Sequence, residues 1–259
     1  MENKPQKSPD LDRMEQAKPP NRFWANRRIG ITGASGTFGR ALTQQLRAKG
    51  AVVVGLTHSS VGAREASLEG PHQWVQWQCG QEIALDDTLA GLDVLVLNHG
   101  INPKGRQGSK EINDALEVNA LSTWRLMQRY ETIAMNKNRS PFPREIWVNT
   151  SEAEIQPALS PAYEISKRLI GQLASLRRNN LDQKQRTFLT IRKLVLGPFR
   201  SQENPLRVMS ASFVASLVIK QVEWRFNLII VTPNPLAFLV MPLVELYRGV
   251  YARLMRKFC

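Results

Sequence analysis

The sequence predicts an α/β fold: a doubly wound parallel sheet with helices on both faces. Three observations carry this. Short apolar strands alternate with helical segments along most of the chain. Two of the strands are apolar throughout, as strands covered on both faces are. The first strand runs into a turn with glycines at positions 33, 36 and 39 just before a helix.

The elements follow in order. Arg28 to Thr32 reads as the first strand. Phe38 to Lys49 carries Leu42 and Leu46 at helical spacing and stops at Gly50. Ala51 to Leu56 (AVVVGL) and Trp74 to Gln78 are the next two strands. Leu92 to Leu97 (LDVLVL) is the fourth. A long helical stretch from about Glu111 to Met135 leads to the strand Glu145 to Asn149. Pro161 to Arg178 is a helix, Phe188 to Val195 a strand, Ser210 to Val222 a helix, and Leu228 to Val231 the last strand.

The first 22 residues are rich in Lys, Pro, Gln and Asp. They read as a disordered lead-in, without the apolar stretch of a secretory signal. One α/β domain is expected over 23–232, with a distinct tail over 233–259.

A chain of 259 residues suffices for one large α/β domain. The only cysteines, Cys79 and Cys259, can build neither a disulfide framework nor a cysteine-based zinc site, and no metal is expected. A reducing, cytoplasmic setting follows. Lys and Arg number 35 against 22 Asp and Glu, a net charge of +13. Such a balance favours phosphorylated ligands or anionic lipid. No nucleic-acid-binding motif accompanies it, so no nucleic acid partner is expected.

The turn Thr32-Gly33-Ala34-Ser35-Gly36-Thr37-Phe38-Gly39-Arg40 lies between strand and helix. There small residues let the backbone approach a pyrophosphate, and the helix N-terminus offers N–H donors. Gly33, Ser35, Gly36, Thr37, Phe38 and Gly39 are the candidate contacts of a Rossmann-type site. The second strand ends in Thr57-His58-Ser59-Ser60, with no acidic residue to hold both ribose hydroxyls. Thr57 and His58, with Arg40 or Arg64 nearby, suit a 2′-phosphate instead. NADP(H) is therefore expected in preference to NAD(H).

Tyr163 and Lys167 in Tyr163-Glu164-Ile165-Ser166-Lys167 are one helical turn apart and share a face. An ammonium beside a phenol stabilises phenolate, and should draw the tyrosine down from a pKa of about 10. That makes it a usable acid/base for an alcohol or carbonyl.

The stretch from Arg28 to Val231 resembles the short-chain dehydrogenase/reductase family. The turn TGASGTFG, the turn Asn98-His99-Gly100, Asn119 within EVNALS, Ser151 and the segment YEISK come in family order and near family spacing. The resemblance implies strand order 3-2-1-4-5-6-7. It implies Tyr163 as acid/base, and Lys167 holding the nicotinamide ribose. Ser151 would bond the substrate oxygen, and Asn119 would hold a water of the proton relay. Asn98 and Gly100 would line the cofactor, with Gly197 and Ser201 beside the nicotinamide.

Reversible hydride transfer between NAD(P)(H) and a small-molecule carbonyl or secondary alcohol would follow. A dimer or tetramer is implied, paired through the helices around Trp124 to Ala134 and Tyr163 to Leu176. The chain departs from the pattern at Thr37, Leu97, Cys79, Gly80 and Leu196, and Thr150 competes with Ser151 by spacing. As a whole the chain also resembles, more distantly, the dehydrogenase-like part of cyanobacterial sterol desaturase/dehydrogenase proteins. No substrate follows from that.

Two other readings stand beside this one. One is a non-catalytic, nucleotide-binding regulatory or scaffolding module, against which the presence of both Tyr163 and Lys167 counts. The other is a nucleotide-sugar epimerase or dehydratase. The glycine spacing suits it, but the chain after Ser201 looks short for a substrate domain. Glu152 and Glu154, following Ser151, are read either as facing a hydroxyl-rich or cationic substrate or as solvated loop acids. In the tail, Leu236 to Tyr247 (LAFLVMPLVELY) is apolar but broken by Pro242 and Glu245, and a basic end follows. It is too short to span a bilayer, which needs roughly 20 apolar residues. It suits either an interfacial segment on an anionic membrane or a helix packed on the protein.

Overall fold

The computed structural model describes residues 23–60, 69–106, 108–136, 143–200 and 209–255. The N-terminal lead-in, Arg64 and Ser201 lie outside them.

Seven parallel strands form one sheet: β1 (Arg28–Thr32), β2 (Val52–Thr57), β3 (Gln73–Gln76), β4 (Val94–Leu97), β5 (Arg144–Ser151), β6 (Leu189–Leu196) and β7 (Leu228–Val231). Their order is β3-β2-β1-β4-β5-β6-β7, as the resemblance implies. The helices are α1 (Thr37–Ala48), α2 (Asp86–Ala90), α3 (Ser109–Leu116), α4 (Ser122–Asn136), α5 (Pro161–Asn180), α6 (Gln183–Phe188), α7 (Ala211–Glu223) and α8 (Pro235–Met255).

Side chains alternate across each strand, so one strand feeds two cores. Val94 and Val96 of β4 join Ile29, Ile31 and Leu194 under α1 and α7. Leu95 and Leu97 join Ile146, Val148 and Ile191 under α4 and α5. This two-sided burial is why the strands read as unbroken apolar runs. It also accounts for Leu97, which is core rather than cleft.

Local chemistry sets the ends. Gly50, at φ +92°, stops α1 as its position predicts. Ser210 caps α7 by accepting from the Phe213 N–H at 3.1 Å. Pro161 opens α5 at a first-turn position, where its missing N–H removes nothing from the ladder. β4 begins at Val94, later than expected. The Asp93 carboxylate accepts from the Arg28 N–H (2.8 Å), and the Leu92 carbonyl accepts from Tyr130 (3.0 Å). The long helical stretch is α3 and α4 joined by a wide π-turn, Glu117–Leu121, which carries Asn119.

The tail differs most from expectation. Pro242 and Glu245 do not interrupt it, for α8 runs through both. Pro242 removes one N–H from the ladder. Glu245 turns inward and anchors the helix. It accepts from Lys193 Nζ (2.9 Å), Ser175 Oγ (2.7 Å) and Arg248 Nη1 (2.9 Å), and pairs with Arg178. Lys193 is buried on β6 and also reaches Glu154 at 2.6 Å. Burial pushes the Glu245 carboxyl up, but Lys193 and Arg178 prevail and hold it below the usual carboxylate range. Its stabilising effect is therefore present above the unfolded carboxylate value and fades as pH falls through the folded one.

Lys193→Met would remove the one fully buried cation between two buried carboxylates and leave them only Arg178 and Arg248 at the margin. Breaking such a cluster costs about 3–5 kcal/mol, on the order of 10 °C in melting temperature. Thermal denaturation checks this, and a fall under about 2 °C contradicts the role assigned to the cluster.

Candidate active site

Parallel strands place all their carboxyl ends on one edge, where ligands of such sheets bind. Here that edge opens into a cleft of about 1130 Å³. Segments just beyond β1, β2, β4, β5 and β6 line it, each beginning with residues singled out from the sequence.

The β1–α1 turn forms the floor. Gly33 has φ +64°, a left-handed conformation that a side chain would strain. A Cβ on Gly39 would sit 2.3 Å from the Gly33 carbonyl oxygen, so only glycine lets α1 settle on the turn. Gly36 caps α1 without a side-chain bond, and the first turn holds no acidic residue. Gly33, Ser35, Gly36, Thr37 and Phe38 line the cleft, whereas Gly39 supports them from behind.

Thr32 ties the turn to the next strand. Its hydroxyl accepts from the N–H groups of Asn98 (2.8 Å) and His99 (3.1 Å) and contacts His99 Nδ1 at 2.8 Å. Burial, reinforced by the Lys167 ammonium, pushes His99 down to about 3, so it stays neutral. His58, just past β2, and Arg40, on α1, line the cleft, while Thr57 is buried.

Tyr163, Lys167 and Ser151 all line the cleft. Lys167 Nζ lies 5.7 Å from the Tyr163 ring centroid and donates to the Asn149 carbonyl at 3.1 Å. Burial pushes the ammonium down to about 8, against the opposing pull of the Glu154 carboxylate. The competition between Thr150 and Ser151 is settled by hydrogen bonding. Thr150 spends its O–H on the Leu194 carbonyl (3.1 Å). Ser151 accepts from the Ala153 N–H (3.2 Å), which leaves its own O–H to donate into the cleft.

Asn119 sits behind the wall rather than in it. Its amide accepts from the Ile101 N–H (2.7 Å) and donates to the Ile101 carbonyl and Ser166 Oγ (2.9 Å each). It clamps the loop after β4 onto α5. Gly100 lines the cleft, and a Cβ there would meet Asn119 Oδ1 at 2.9 Å. Asn98 and Gly197 also line it.

Sequence reasoning missed Asn149. Its amide donates to Asn98 Oδ1 at 2.7 Å, and its own buried Oδ1 has no partner among the described residues. Its place at the end of β5 was the available signal. Glu152 and Gln156 line the wall beyond Ser151, tied back by Thr232 and by Asn234 (2.6 Å) respectively. Glu154, expected at the substrate or in solvent, is instead buried on Lys193.

The residues fit a dinucleotide. The turn is a glycine cradle that a Cβ would fill, it ends in an uncapped helix N-terminus, and the wall holds an orphaned amide oxygen. Gly33, Ser35, Gly36, Thr37 and Phe38 would hold the pyrophosphate side, and Lys167, Asn149 and Gly197 the nicotinamide side.

The chain is 44% identical over 233 residues to a monoglucosyldiacylglycerol epimerase from Synechocystis sp., covering 89% of this chain. It spans only about half, 55%, of that relative. It is similar in fold to a bulky-bulky ketone specific alcohol dehydrogenase from Comamonas testosteroni, with TM-score 0.72 and 16% identity over 87% of this chain and 94% of that one. It is likewise similar to a putative 2-deoxy-D-gluconate 3-dehydrogenase from Agrobacterium tumefaciens with bound NADP, with TM-score 0.68 and 17% identity over 86% of this chain and all of that one. The model of the NAD dependent epimerase/dehydratase family matches residues 29–217. The glycine cradle, the Tyr163–Lys167 pair and this match together place the chain in the NAD dependent epimerase/dehydratase family.

Proposed function

We propose that the chain inverts a secondary hydroxyl-bearing carbon of a hexose carried on a lipid, using NAD(P). The observation that carries this reading is the arrangement of the cleft. Ser151, Tyr163 and Lys167 line it, and a carboxylate and an amide, Glu152 and Gln156, line the adjoining wall. The first group handles a hydroxyl, and the second offers acceptors to the hydroxyls beside it. The 44% identity to a protein named for a monoglucosyldiacylglycerol supports a glycolipid of that class. The choice of cofactor follows the end of β2: His58 and Arg40 line the cleft where no acid stands, which favours NADP(H).

A dinucleotide held by the cradle residues and by Lys167, Asn149 and Gly197 would supply the hydride chemistry at the carbinol carbon. The protein's own groups manage the oxygen and its proton. Tyr163, as phenolate, takes the hydroxyl proton and later returns it. The Lys167 ammonium stabilises that phenolate. Ser151 donates to the substrate oxygen as it becomes a carbonyl and again as it becomes an alcohol. Asn119 positions Gly100 and α5, and through them Lys167. Inversion requires the sugar to present first one face of the carbon and then the other, and a cleft of about 1130 Å³ leaves room for the ring to turn.

The test is incubation with NADP and a glucosyl diacylglycerol, with the headgroup read by proton NMR coupling constants. An epimeric headgroup with no net NADPH is expected. Stoichiometric NADPH with a keto product would make the chain a net dehydrogenase instead. Tyr163→Phe should lower turnover by about 10²-fold or more while leaving nucleotide affinity within about twofold. Unchanged turnover contradicts its role.

The ionisation of Lys167 sets the alkaline limit. Its value in the fold is lowered to about 8, so the ammonium is lost earlier than in a free lysine. The kcat/KM for the dinucleotide, which reports the free enzyme, should fall as pH rises through about 8. Apo stability should move the other way. Between about 8 and the unfolded lysine value the native state binds fewer protons, so stability rises with pH across that window. A flat profile to pH 10 contradicts this assignment.

A further inference from the structure

The outer face of α8 has no counterpart in the chemistry described so far. Its inner face follows a four-residue spacing, with Ala237 and Met241 packed on Val195 and Ile230 and Glu245 in the ionic cluster. The outer face is apolar and open. Leu236, Leu239, Leu243, Leu246, Tyr247 and Tyr251 are each 52–69% exposed. A contiguous apolar surface of this kind marks a docking face.

Pro235–Leu254 is long and apolar enough to cross a bilayer by length and composition. The ionic cluster argues against that course. Carrying Glu245 and Arg248 into hydrocarbon would strip Lys193 and Glu154 of partners they hold while buried. The helix therefore lies along the protein, one face on the core and the other outward.

Charge and position indicate what covers it. The only acid of α8, Glu245, points inward and Arg248 pairs with it there, while Arg253 near the C-terminal end is exposed. Tyr247 and Tyr251 stack at 6.2 Å on the outer side. Exposed tyrosines beside leucines, with an arginine at one end, no outward acid and a chain of net charge +13, match the interfacial layer of an anionic bilayer. The start of α8 also adjoins the cleft. Thr232 and Asn234, which lead into it, hydrogen-bond Glu152 and Gln156 of the cleft wall. Leu159, 92% exposed, belongs to the same rim.

We propose that α8 docks the protein flat on an anionic lipid surface, with its outer face at headgroup depth, and so sets the cleft mouth on the layer that presents the substrate. The second clause rests on the glycolipid reading; the docking itself does not.

The test is co-sedimentation of the full chain with vesicles of phosphatidylglycerol and phosphatidylcholine containing no glycolipid. Binding is expected, weakening at least tenfold from 0.1 to 0.5 M salt. The variant Leu239→Asp/Leu243→Asp/Leu246→Asp should lose it while keeping NADPH affinity, which shows that it remains folded. Its turnover of glycolipid should fall at least tenfold in vesicles and stay unchanged in detergent micelles. No sedimentation of the intact chain, or equal sedimentation of the variant, overturns the proposal. So does a vesicle-free dimer that the same substitutions split into monomers, for then a second copy covers the face. Vesicle binding without turnover by the intact chain in either medium would leave the docking standing and remove the glycolipid reading.

Discussion

Pairing seven strands in parallel constrains everything else in this molecule. Each connection must cross a face of the sheet, so helices cover both faces and the strands are apolar on both sides. All carboxyl ends fall on one edge, so the polar residues that end β1, β4 and β5 become neighbours although up to 119 positions separate them, Thr32 to Ser151. The Thr32 hydroxyl, bridging the first turn to the Asn98–His99 backbone, keeps that edge together. Asn149 extends the chain of contacts from Asn98 to the Lys167 ammonium.

A second constraint acts from the opposite side of the active lysine. Lys193, buried on β6, gathers Glu154, Glu245 and the α5 backbone around it. Glu154 is also the carboxylate that opposes the desolvation of Lys167. The anchor of α8 and the electrostatics of the catalytic lysine thus share one buried carboxylate. A buried ion cluster is weak evidence for stability in itself. Its contribution here is geometric, since it fixes the orientation of α8 and hence which face looks outward.

The parts legible in the sequence were those written in local spacing. The strand alternation, the glycine turn and the helical Tyr163–Lys167 pair each lie within a few residues and follow from backbone geometry, and the structure contains all three. Ser151 was legible by position, but its advantage over Thr150 was not. That depends on the Leu194 carbonyl, which is close only once β5 and β6 pair. Asn119 was read as holding a water of the proton relay; its side chain, set on the π-turn between α3 and α4, also clamps the loop after β4 onto α5, which no local spacing shows. Glu154 and Glu245 looked like loop and tail charges because their partner, Lys193, sits in the middle of an otherwise apolar strand. The branch of the family was likewise beyond local patterns. The glycine spacing suited an epimerase as well as a reductase, the chain following Ser201 argued for a simple reductase, and the family match reaches as far as the NAD dependent epimerase/dehydratase family.

The edge of this sheet is shaped to hold a nicotinamide dinucleotide. Trp77 lines the cleft beside His99, with ring centroids 5.1 Å apart, so its fluorescence reports directly on that edge. Titration of the protein with NADPH and NADH is the most direct test. The account predicts saturable quenching by both, tighter for NADPH, and weakened by a side chain at Gly39, where a Cβ would press on the turn. Binding of neither dinucleotide would contradict it.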